Sequence, residues 1–284
     1  MKESIKKADI LIEAIPYLRA FKGKVVVIKY GGSAMEDIES RRGLLKDIIF
    51  MNTVGIKPIL IHGGGPAISQ KLKQLGKNVK FIHGRRVTDG HAIKVVDKIL
   101  AKINRDISQE IIDLGGNARP LLAKKNNLIL AKCAEPQLGF VGEPVSLNAR
   151  FLNRVLKNGF IPVISSVARG YSDNKIYNIN ADDVATFIGG TLKAEKLVLF
   201  TNVEGILKDK ADASSLFSTL NVSQAQRLMA NGVVSEGMIP KVRACVEALK
   251  AGVKKAHIIG VYVPHSLLLE IFTKKGVGTE IVRE

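Results

Sequence analysis

Short, continuously apolar segments alternate with glycine turns and helical patterns along this chain, and this alternation restricts the fold more than any other feature. The apolar segments cover residues 24–29, 58–62, 128–132, 161–166, 196–201 and 256–259. Strands that are apolar along their whole length are buried on both faces, which is typical of a parallel sheet covered by helices. We therefore predict an α/β fold, a three-layer αβα sandwich around a mainly parallel sheet.

The segments between these strands show the three- and four-residue spacing of apolar side chains that indicates a helix with one buried face. After Pro66, this face consists of Ile68, Leu72 and Leu75, and Gly76 ends the helix. A longer helix begins with Thr88 and Asp89 as caps and ends at Gly115-Gly116. Its apolar face consists of Ile93, Val96, Leu100, Ile103, Ile107, Ile111 and Leu114. Segment 241–249 is a third such helix, and it places Cys245 in the core.

The composition excludes several classes of protein. There are 43 Lys and Arg against 26 Asp and Glu, a net charge of +17, but the basic residues are spread along the chain. Their distribution favours a solvated surface that attracts anionic small molecules, with a nucleic-acid-binding protein as the rival class. The absence of Trp argues against base stacking. For these reasons we expect no nucleic-acid partner. We also expect no membrane partner, because no apolar run is long enough to span a bilayer.

Features at the N-terminus and the cysteine content bear on the compartment. The first residues carry scattered charges and show no secretory signal. Cys133 and Cys245 are too few for a disulfide scaffold and lack the spacing of metal ligands. These observations predict a reducing compartment, and we expect the cytoplasm. The plastid stroma is the alternative.

Two of the apolar segments run directly into glycine clusters, at 31–32 and 63–65. A strand–glycine–helix turn leaves free backbone N–H groups at a helix start, where an anion is stabilised. Glycine lets a phosphate or carboxylate approach the backbone closely. Neither cluster has the pattern of a Walker A loop or of a dinucleotide-binding turn. Two such turns, the first preceded by Lys29, therefore predict an anion-binding site of another kind.

Nine segments together identify a family resemblance. They are VVVIKYGGSAM, ILIHGGGPAIS, GRRVTD, LGFVGE, FIPVIS, YNINADDVA, VEGIL, GMIPKV and VPHSLLLEIFT. In order and spacing they resemble the amino acid kinase family from about Phe21 onward, and within it the members that phosphorylate N-acetyl-L-glutamate. The resemblance implies transfer of a phosphoryl group from ATP, with Mg²⁺, to the γ-carboxylate of acetylglutamate, the second step of arginine biosynthesis. The alternative is a member that acts on another carboxylate or on carbamate.

The resemblance also implies the roles of individual residues. Lys29 and Lys241 match the two lysines that stabilise the transition state, and Asp182 matches the carboxylate that organises them. The acetylglutamate-binding residues would be Gly64, Gly65, Arg86 and Asn178. The nucleotide-binding residues would be Gly31, Gly32, Gly63, Thr201, Asn202 and Gly205, with Lys208–Lys210 nearby. No metal ligand is assigned to the protein itself.

Other positions are expected to lie outside this set or to depart from the family pattern. We expect Asp183 to be a solvated acid, and Arg85 to point away from its neighbour Arg86. Asn202 stands where the family usually has Asp. Further departures are His83, Arg85, Gly260, Val261 and Tyr262, and none of them belongs to the predicted catalytic set.

The final expectations concern domains and regulation. We expect an N-terminal helix at 1–20, a lobe at 21–175 that binds acetylglutamate and forms a dimer, and an ATP-binding lobe at 176–284. The helix is amphipathic and packs on its own subunit or, as the resemblance implies, joins three dimers into a hexamer. The resemblance also implies feedback inhibition by arginine at a site containing His257, Glu270 and Gly276. A PII-type signalling protein is a further expected partner, because LGFVGE resembles cyanobacterial and plant members.

Overall fold

The computed structural model describes residues 1–35, 37–82, 84–209, 212–235, 237–273 and 276–284. The helices are α1 (Lys2–Phe21), α2 (Ile38–Thr53), α3 (Gly65–Gln74), α4 (Ala92–Asp113), α5 (Ala149–Lys157), α6 (Ala181–Leu192), α7 (Val222–Ala230), α8 (Ile239–Ala251) and α9 (Ser266–Phe272). The strands are β1 (Val25–Tyr30), β2 (Lys57–His62), β3 (Phe81–Ile82), β4 (Arg85–Arg86), β5 (Ala118–Leu122), β6 (Ile129–Cys133), β7 (Gly142–Leu147), β8 (Ile161–Ser165), β9 (Val167–Gly170), β10 (Ile176–Asn178), β11 (Lys196–Thr201), β12 (Thr219–Asn221), β13 (Lys255–Gly260) and β14 (Thr279–Val282).

The main sheet has the order β12-β14-β13-β11-β1-β2-β8-β5. The six strands from β13 to β5 are parallel, whereas β14 runs antiparallel to β13 and β12 runs parallel to β14. Helices cover both faces, so the predicted three-layer α/β architecture is confirmed. β1 lies in the middle, with Lys29 paired to Leu199 of β11 and to Ile61 of β2.

The central strands are buried on both faces, as their continuous apolar sequences predict. Val27 belongs to the core on the side of α6 and α8, while Val26 and Ile28 belong to the core on the side of α2. Because successive side chains of a strand point to opposite faces, one apolar run serves both cores. The helices thus hold the carboxyl ends of β1 and β2 at a fixed position.

Two details of the predicted helices are wrong. Leu75 lies beyond the end of α3 and is exposed, whereas Ile68 and Leu72 of the same predicted face are buried. At the start of α4, the Asp89 carboxylate accepts hydrogen bonds from the backbone N–H groups of His91 and Ala92. Thr88 instead donates its hydroxyl to the Arg86 carbonyl oxygen. Asp89 is therefore the cap, and Thr88 belongs to the β4 side of the turn.

A second sheet, of order β10-β9-β6-β7, lies beside the first. It contains the apolar run at 128–132, which forms β6 and pairs antiparallel with β7. The prediction that this run belongs to the parallel sheet is wrong, because a continuous apolar run shows burial but not which strands lie beside it. β10 pairs with β9, so the expected boundary between residues 175 and 176 falls inside this sheet.

The N-terminal helix extends from Lys2 to Phe21, in agreement with its predicted amphipathic pattern. Near its C-terminal end, Tyr17 and Phe21 make edge-to-face contacts with Phe272, the last residue of α9. Ile5 and Ile12, further toward the N-terminus, are more than half exposed. The ring contacts of α1 with the rest of its own chain thus lie near its C-terminal end. Among the described residues, no helix has the length and apolarity that a bilayer crossing requires.

Candidate active site

A buried carboxylate between two lysines lies at the carboxyl ends of the central strands. Lys29 Nζ is 2.9 Å from Asp182 Oδ1, and Lys241 Nζ is 3.6 Å from Asp182 Oδ2. Lys29 ends β1, Asp182 lies in the first turn of α6, and Lys241 lies in the first turn of α8. We call these three residues the lysine cluster. The structure therefore brings together the three residues predicted to be catalytic.

The lysine cluster carries a net positive charge. Burial by itself would raise the pKa of Asp182, but Lys29 and Lys241 outweigh that effect and hold its pKa below 3.8. The carboxylate is therefore ionised at neutral pH and is in contact with two cations. Such an arrangement fixes both ammonium groups and leaves one positive charge to attract an anion.

The two glycine turns meet beside Lys29. A Cβ atom at Gly31 would lie 3.2 Å from Lys29 Nζ and 3.3 Å from the Gly63 nitrogen. At Gly64, a Cβ would lie 2.7 Å from Leu100 Cδ2. Glycine at positions 31 and 64 thus permits close approach of the two loops to each other and to α4. A Cβ at Gly32 or at Gly65 would meet no atom within 4 Å, and both glycines line the cavity described below.

His62 supports the second turn from within the sheet. Its ring lies 3.0 Å from the Gly63 carbonyl oxygen on one side and 3.0 Å from the Asn104 side-chain amide on the other. Burial lowers the pKa of His62 to about 4, so the ring is neutral. A neutral imidazole can donate at one nitrogen and accept at the other, which satisfies both contacts.

A cavity of about 190 Å³, here the central cavity, opens next to the lysine cluster. It is lined by residues that include Lys29, Gly32, Gly63–Gly65, Arg86 and Asn178. Arg86 Nη2 donates to the Gly65 carbonyl oxygen at 3.0 Å and to Ser69 Oγ at 2.7 Å. Its Nη1 is buried and has no hydrogen-bond partner within the described part of the chain. An unpaired guanidinium nitrogen in a cavity is suited to bind a carboxylate.

The remaining predicted substrate residue, Asn178, lies at the end of β10. Its amide nitrogen is 3.5 Å from the Thr88 hydroxyl oxygen. Two residues later, the side chain of Asn180 accepts a hydrogen bond from the Asp182 backbone N–H and caps α6. The strand end therefore places a neutral amide at the central cavity, and the helix start places the Asp182 carboxylate against Lys29, which lines the same cavity.

The predicted nucleotide-binding residues of the second half follow β11. Thr201 is two positions beyond Leu199, the partner of Lys29, and is buried, while Asn202 is exposed. Gly205 does not line the central cavity but packs against β14, where a Cβ would lie 2.6 Å from Thr279 Oγ1. This close packing against β14 explains why position 205 is a glycine. Lys208 is exposed, and Lys210 of the predicted segment lies outside the described residues.

The expectation that Asp183 is simply solvated is wrong. Its carboxylate is partly buried and lies 3.4 Å from Arg85 Nη2, and Arg85 Nη1 lies 3.0 Å from Glu143 Oε1. Burial raises the pKa of Asp183 to about 6, although Arg85 opposes this shift. Arg85 does point away from Arg86, as extended backbone predicts, but toward these acids. His83 lies outside the described residues.

The predicted regulatory residues meet at the amino ends of the parallel strands. His257 Nδ1 is 2.7 Å from Glu270 Oε1, and Glu270 Oε2 accepts hydrogen bonds from the backbone N–H groups of Val277 and Gly278. A Cβ at Gly276 would lie 2.7 Å from Glu270 Oε2, so this position requires glycine. Burial lowers the pKa of His257, although Glu270 opposes this shift, and the ring is neutral at pH 7.

A cavity of about 280 Å³, here the α1 pocket, separates these residues from α1. It is lined by residues that include Tyr17, Phe21, Lys196, Glu270, Gly276 and Glu280. Lys196 Nζ lies 3.1 Å from His257 Nε2, and burial lowers the pKa of this lysine. We call His257, Glu270 and Lys196 the histidine cluster. The sequence analysis did not single out Lys196, since a lysine at the start of a strand is usually a flanking residue.

Sequence reasoning missed further residues around the central cavity. Ser69 holds Arg86 from α3, and the Phe81 ring lies 4.7 Å from the Arg86 guanidinium carbon. A serine in a helix and an aromatic residue in a two-residue strand carry no distinctive signal. Within the described part of the chain, no group of three or more His, Cys, Asp or Glu side chains could hold a metal ion.

The chain is similar to known proteins along its whole length. Residues 24–260 match the amino acid kinase family. The acetylglutamate kinase of Desulforamulus reducens is 44% identical over 290 residues, covering 100% of both chains. The acetylglutamate kinase of a Synechococcus species is 48% identical over 282 residues, covering 99% of this chain and 90% of the relative.

A solved structure shares the fold. The N-acetylglutamate synthase of Neisseria gonorrhoeae, complexed with coenzyme A and N-acetyl-glutamate, superposes with a TM-score of 0.86 at 23% identity. This chain is covered to 96%, and it spans 63% of the synthase chain.

The chain therefore belongs to the amino acid kinase family and is a phosphotransferase. Within that family its full-length relatives place it among the acetylglutamate kinases. The resemblance stated from its motifs is confirmed. The role of each site residue is not tested by these comparisons and stays a prediction.

Proposed function

We propose that this chain phosphorylates the γ-carboxylate of N-acetyl-L-glutamate with ATP, the second step of arginine biosynthesis. The observation that carries the proposal is the central cavity, which is lined by Lys29 and by Arg86, whose buried Nη1 has no hydrogen-bond partner within the described part of the chain. A dicarboxylate fits this pair of charges, with its α-carboxylate on Arg86 and its γ-carboxylate directed toward Lys29. The names of the full-length relatives support the same substrate.

The chemistry needs no general base. A glutamate-type carboxyl has a pKa of about 4.3, so the γ-carboxylate is already ionised at neutral pH. One of its oxygens forms a bond to the γ-phosphorus of ATP while the bond from that phosphorus to the bridging oxygen of ADP breaks. The reaction then depends on in-line positioning and on cations around the transferred group. Lys29 and Lys241 supply two such cations, and each is held by a different oxygen of the Asp182 carboxylate.

We propose that ATP is bound as its magnesium complex. Asp182 already lies between two lysines, and the described residues offer no carboxylate cluster that would hold a metal by itself. Mg²⁺ typically enters kinase sites on the phosphates of the nucleotide, with few protein ligands. The glycine turns at Gly31–Gly32 and Gly63 lie beside Lys29 and support a phosphate-binding role on the same side, although the Gly63 N–H itself donates to the Tyr30 carbonyl oxygen at 3.0 Å.

A coupled assay of ADP release tests the proposed substrate. We expect turnover with N-acetyl-L-glutamate and no turnover with aspartate, carbamate or a carrier-bound aminoadipate. Product formation is checked by trapping the acyl phosphate with hydroxylamine. If one of the other acids releases ADP and acetylglutamate does not, the substrate assignment is wrong although the kinase class stands.

We further propose that arginine inhibits the enzyme by binding in the α1 pocket. Glu270 and Glu280 offer carboxylates to a guanidinium, and Lys196 offers a cation to an α-carboxylate. Inhibition requires arginine to bind a less active arrangement more tightly than the active one. The pocket is lined by Tyr17 and Phe21 of α1 and by Gly276 of the loop before β14. A ligand in the pocket would therefore contact both α1 and this loop.

We propose that α1 also joins three dimers into a hexamer. Ile5 and Ile12 are exposed on the half of α1 that does not contact α9, and a helix of this kind is stabilised by covering its apolar side chains. Deletion of residues 1–20 should give active dimers with weakened arginine inhibition, measured by light scattering and kinetics. A full-length dimer that millimolar arginine does not inhibit would contradict both regulatory proposals. Binding of a PII-type protein, the cytoplasmic location and the two-lobe division stay predictions.

A further inference from the structure

The β3–β4 hairpin forms one side of the central cavity. Its Phe81, Arg85 and Arg86 line that cavity. Among the described strands, β3 and β4 pair with each other alone, and each is two residues long. A two-stranded hairpin of this size has little stability of its own. Its position over the cavity must therefore be fixed by contacts with other elements.

Arg86 and Arg85 supply contacts of this kind on opposite sides of the hairpin, since successive side chains of a strand alternate in direction. Arg86 ties the hairpin to α3 through Gly65 and Ser69. Arg85 ties it to β7 through Glu143, at 3.0 Å, and to α6 through Asp183, at 3.4 Å. The side chains of all three ion-pair partners are between 25% and 37% exposed. Each ion pair is thus shielded from bulk solvent only in part.

The contact of Arg85 with α6 is significant because of the residue that stands next to Asp183 in that helix. Asp183 immediately follows Asp182, the centre of the lysine cluster, in the first turn of the helix. The charged groups facing Asp183 in the described structure are Arg85, Asp182 and Glu143. Arg85 is the only cation among these three groups. It therefore joins the hairpin that carries Arg86 to the helix that carries Asp182.

We propose that Arg85 is a positioning residue, which sets the distance between the carboxylate-binding Arg86 and the lysine cluster. This inference rests on the proposed function, because it assumes that the acceptor binds between these two groups. Partly exposed ion pairs contribute little to overall stability. Their consequence here is geometric, since a small displacement of a substrate-binding group weakens binding without changing the chemical step.

The first test is kinetic. Arg85→Leu should raise the KM for acetylglutamate about five- to tenfold and change kcat and the KM for ATP less than twofold. The double variant Glu143→Gln/Asp183→Asn keeps Arg85 but removes both of its charged partners, and it should give the same increase. The triple variant should be no worse than either, because all three changes interrupt one contact set. Arg85→Lys should restore part of the affinity.

Lys124→Leu is the matched control. Lys124 forms an ion pair of similar exposure with Asp97, at a distance from the cavity, and its loss should leave every kinetic constant at the parent value. An increase in KM for this variant equal to that of Arg85→Leu would show general loosening and overturn the proposal. An increase for Arg85→Leu without one for the partner variant would mean that Arg85 touches the acceptor directly, which also overturns it. An unchanged KM for acetylglutamate in both Arg85→Leu and the partner variant would also overturn the proposal.

The second test does not depend on the substrate. Backbone hydrogen exchange at Phe81, Ile82, Arg85 and Arg86, measured without ligands, should accelerate about tenfold in Arg85→Leu and in the partner variant, but not in Lys124→Leu. If acetylglutamate proves not to be the acceptor, this measurement still decides the role of Arg85. Unchanged exchange would show that the hairpin is held without it, and the positioning role would be lost even with an intact kinase activity.

Discussion

The lysine cluster and the histidine cluster are both built around a buried carboxylate, at opposite edges of the same sheet, but their charges differ. Asp182 faces two lysines, which leaves the lysine cluster with one net positive charge. Glu270 lies beside a neutral His257 and, with Glu280, balances the charges of Lys196 and Lys255. A net positive group suits a transferred phosphoryl group, whereas a balanced group suits an amino acid with charges of both signs.

The direction of the strands places the two clusters. Lys29 is near the carboxyl end of β1, whereas Lys196 is the first residue of β11 and His257 lies early in β13. Because these strands are parallel, residues at their ends and at their starts collect at separate edges. The comparison teaches that two clusters of similar residue types can differ in net charge, and therefore in the ligands they suit, according to which lysines and acids the fold brings together.

The largest expected effect is at the lysine cluster. Lys29→Ala and Lys241→Ala should each lower kcat roughly 10²–10³-fold, the usual loss when one preorganised charge-stabilising group is removed. The KM values should change less, because the developing charge appears only in the transition state. Asp182→Asn should be severely impaired in kcat as well, and circular dichroism should show it folded. Near-parent turnover in either lysine variant would remove that lysine from the mechanism.

The next effect is at the carboxylate-binding end of the central cavity. Arg86→Lys should raise the KM for acetylglutamate roughly tenfold, since an ammonium group cannot reproduce the two parallel hydrogen bonds of a guanidinium. The KM for ATP should stay within about twofold of the parent value. Steady-state kinetics with each substrate varied in turn gives both constants. Equal increases for the two substrates would point instead to a folding defect or to a nucleotide role.

The affinity for arginine should change several-fold with pH, and this dependence should distinguish the histidine cluster from the lysine cluster. The pKa of His257 is lowered, below 6.5, by burial, and a protonated ring would repel the guanidinium of arginine. Arginine affinity should therefore be constant at neutral and alkaline pH, and it should fall several-fold only at the acidic pH where the ring, with its lowered pKa, becomes protonated. Asp182 keeps its charge over this range, because Lys29 and Lys241 hold its pKa below the ordinary value of an aspartate. Calorimetric titration of arginine from pH 8 to pH 5 measures the effect, with His257→Gln as the control that should flatten it.

The smallest effect concerns Asn202. Asn202→Asp restores the residue usual in the family at an exposed position after β11. We expect the KM for ATP to change less than about threefold, because Asn retains a hydrogen-bonding side chain in contact with solvent. The measurement is a nucleotide titration at saturating acetylglutamate. A change of tenfold or more would show that this loop contacts the nucleotide closely.

Much of the candidate site could be predicted because its residues lie in short segments with a local signal. Lys29 ends an apolar strand before glycines, and Asp182 and Lys241 each lie at the start of a helix within segments that resemble the family. Cys245 follows from helical spacing and is buried as predicted. Arg85 and Asp183 could not be assigned in this way, since the partners of Arg85 are 58 and 98 positions away along the chain.

The sequence by itself predicted the strands β1, β2, β6, β8, β11 and β13 and the helices α1, α3, α4 and α8, because periodicity and burial on one or two faces are properties of neighbouring residues. It also predicted, through glycine clusters and lysines, an anion-binding site at the strand ends. The tertiary structure alone decided that β6 leaves the main sheet, that Asp183 is partly buried beside Arg85, and that Lys196 meets His257. Those contacts depend on the packing of distant segments, and a local pattern carries no information about which distant residue will fill the space beside it.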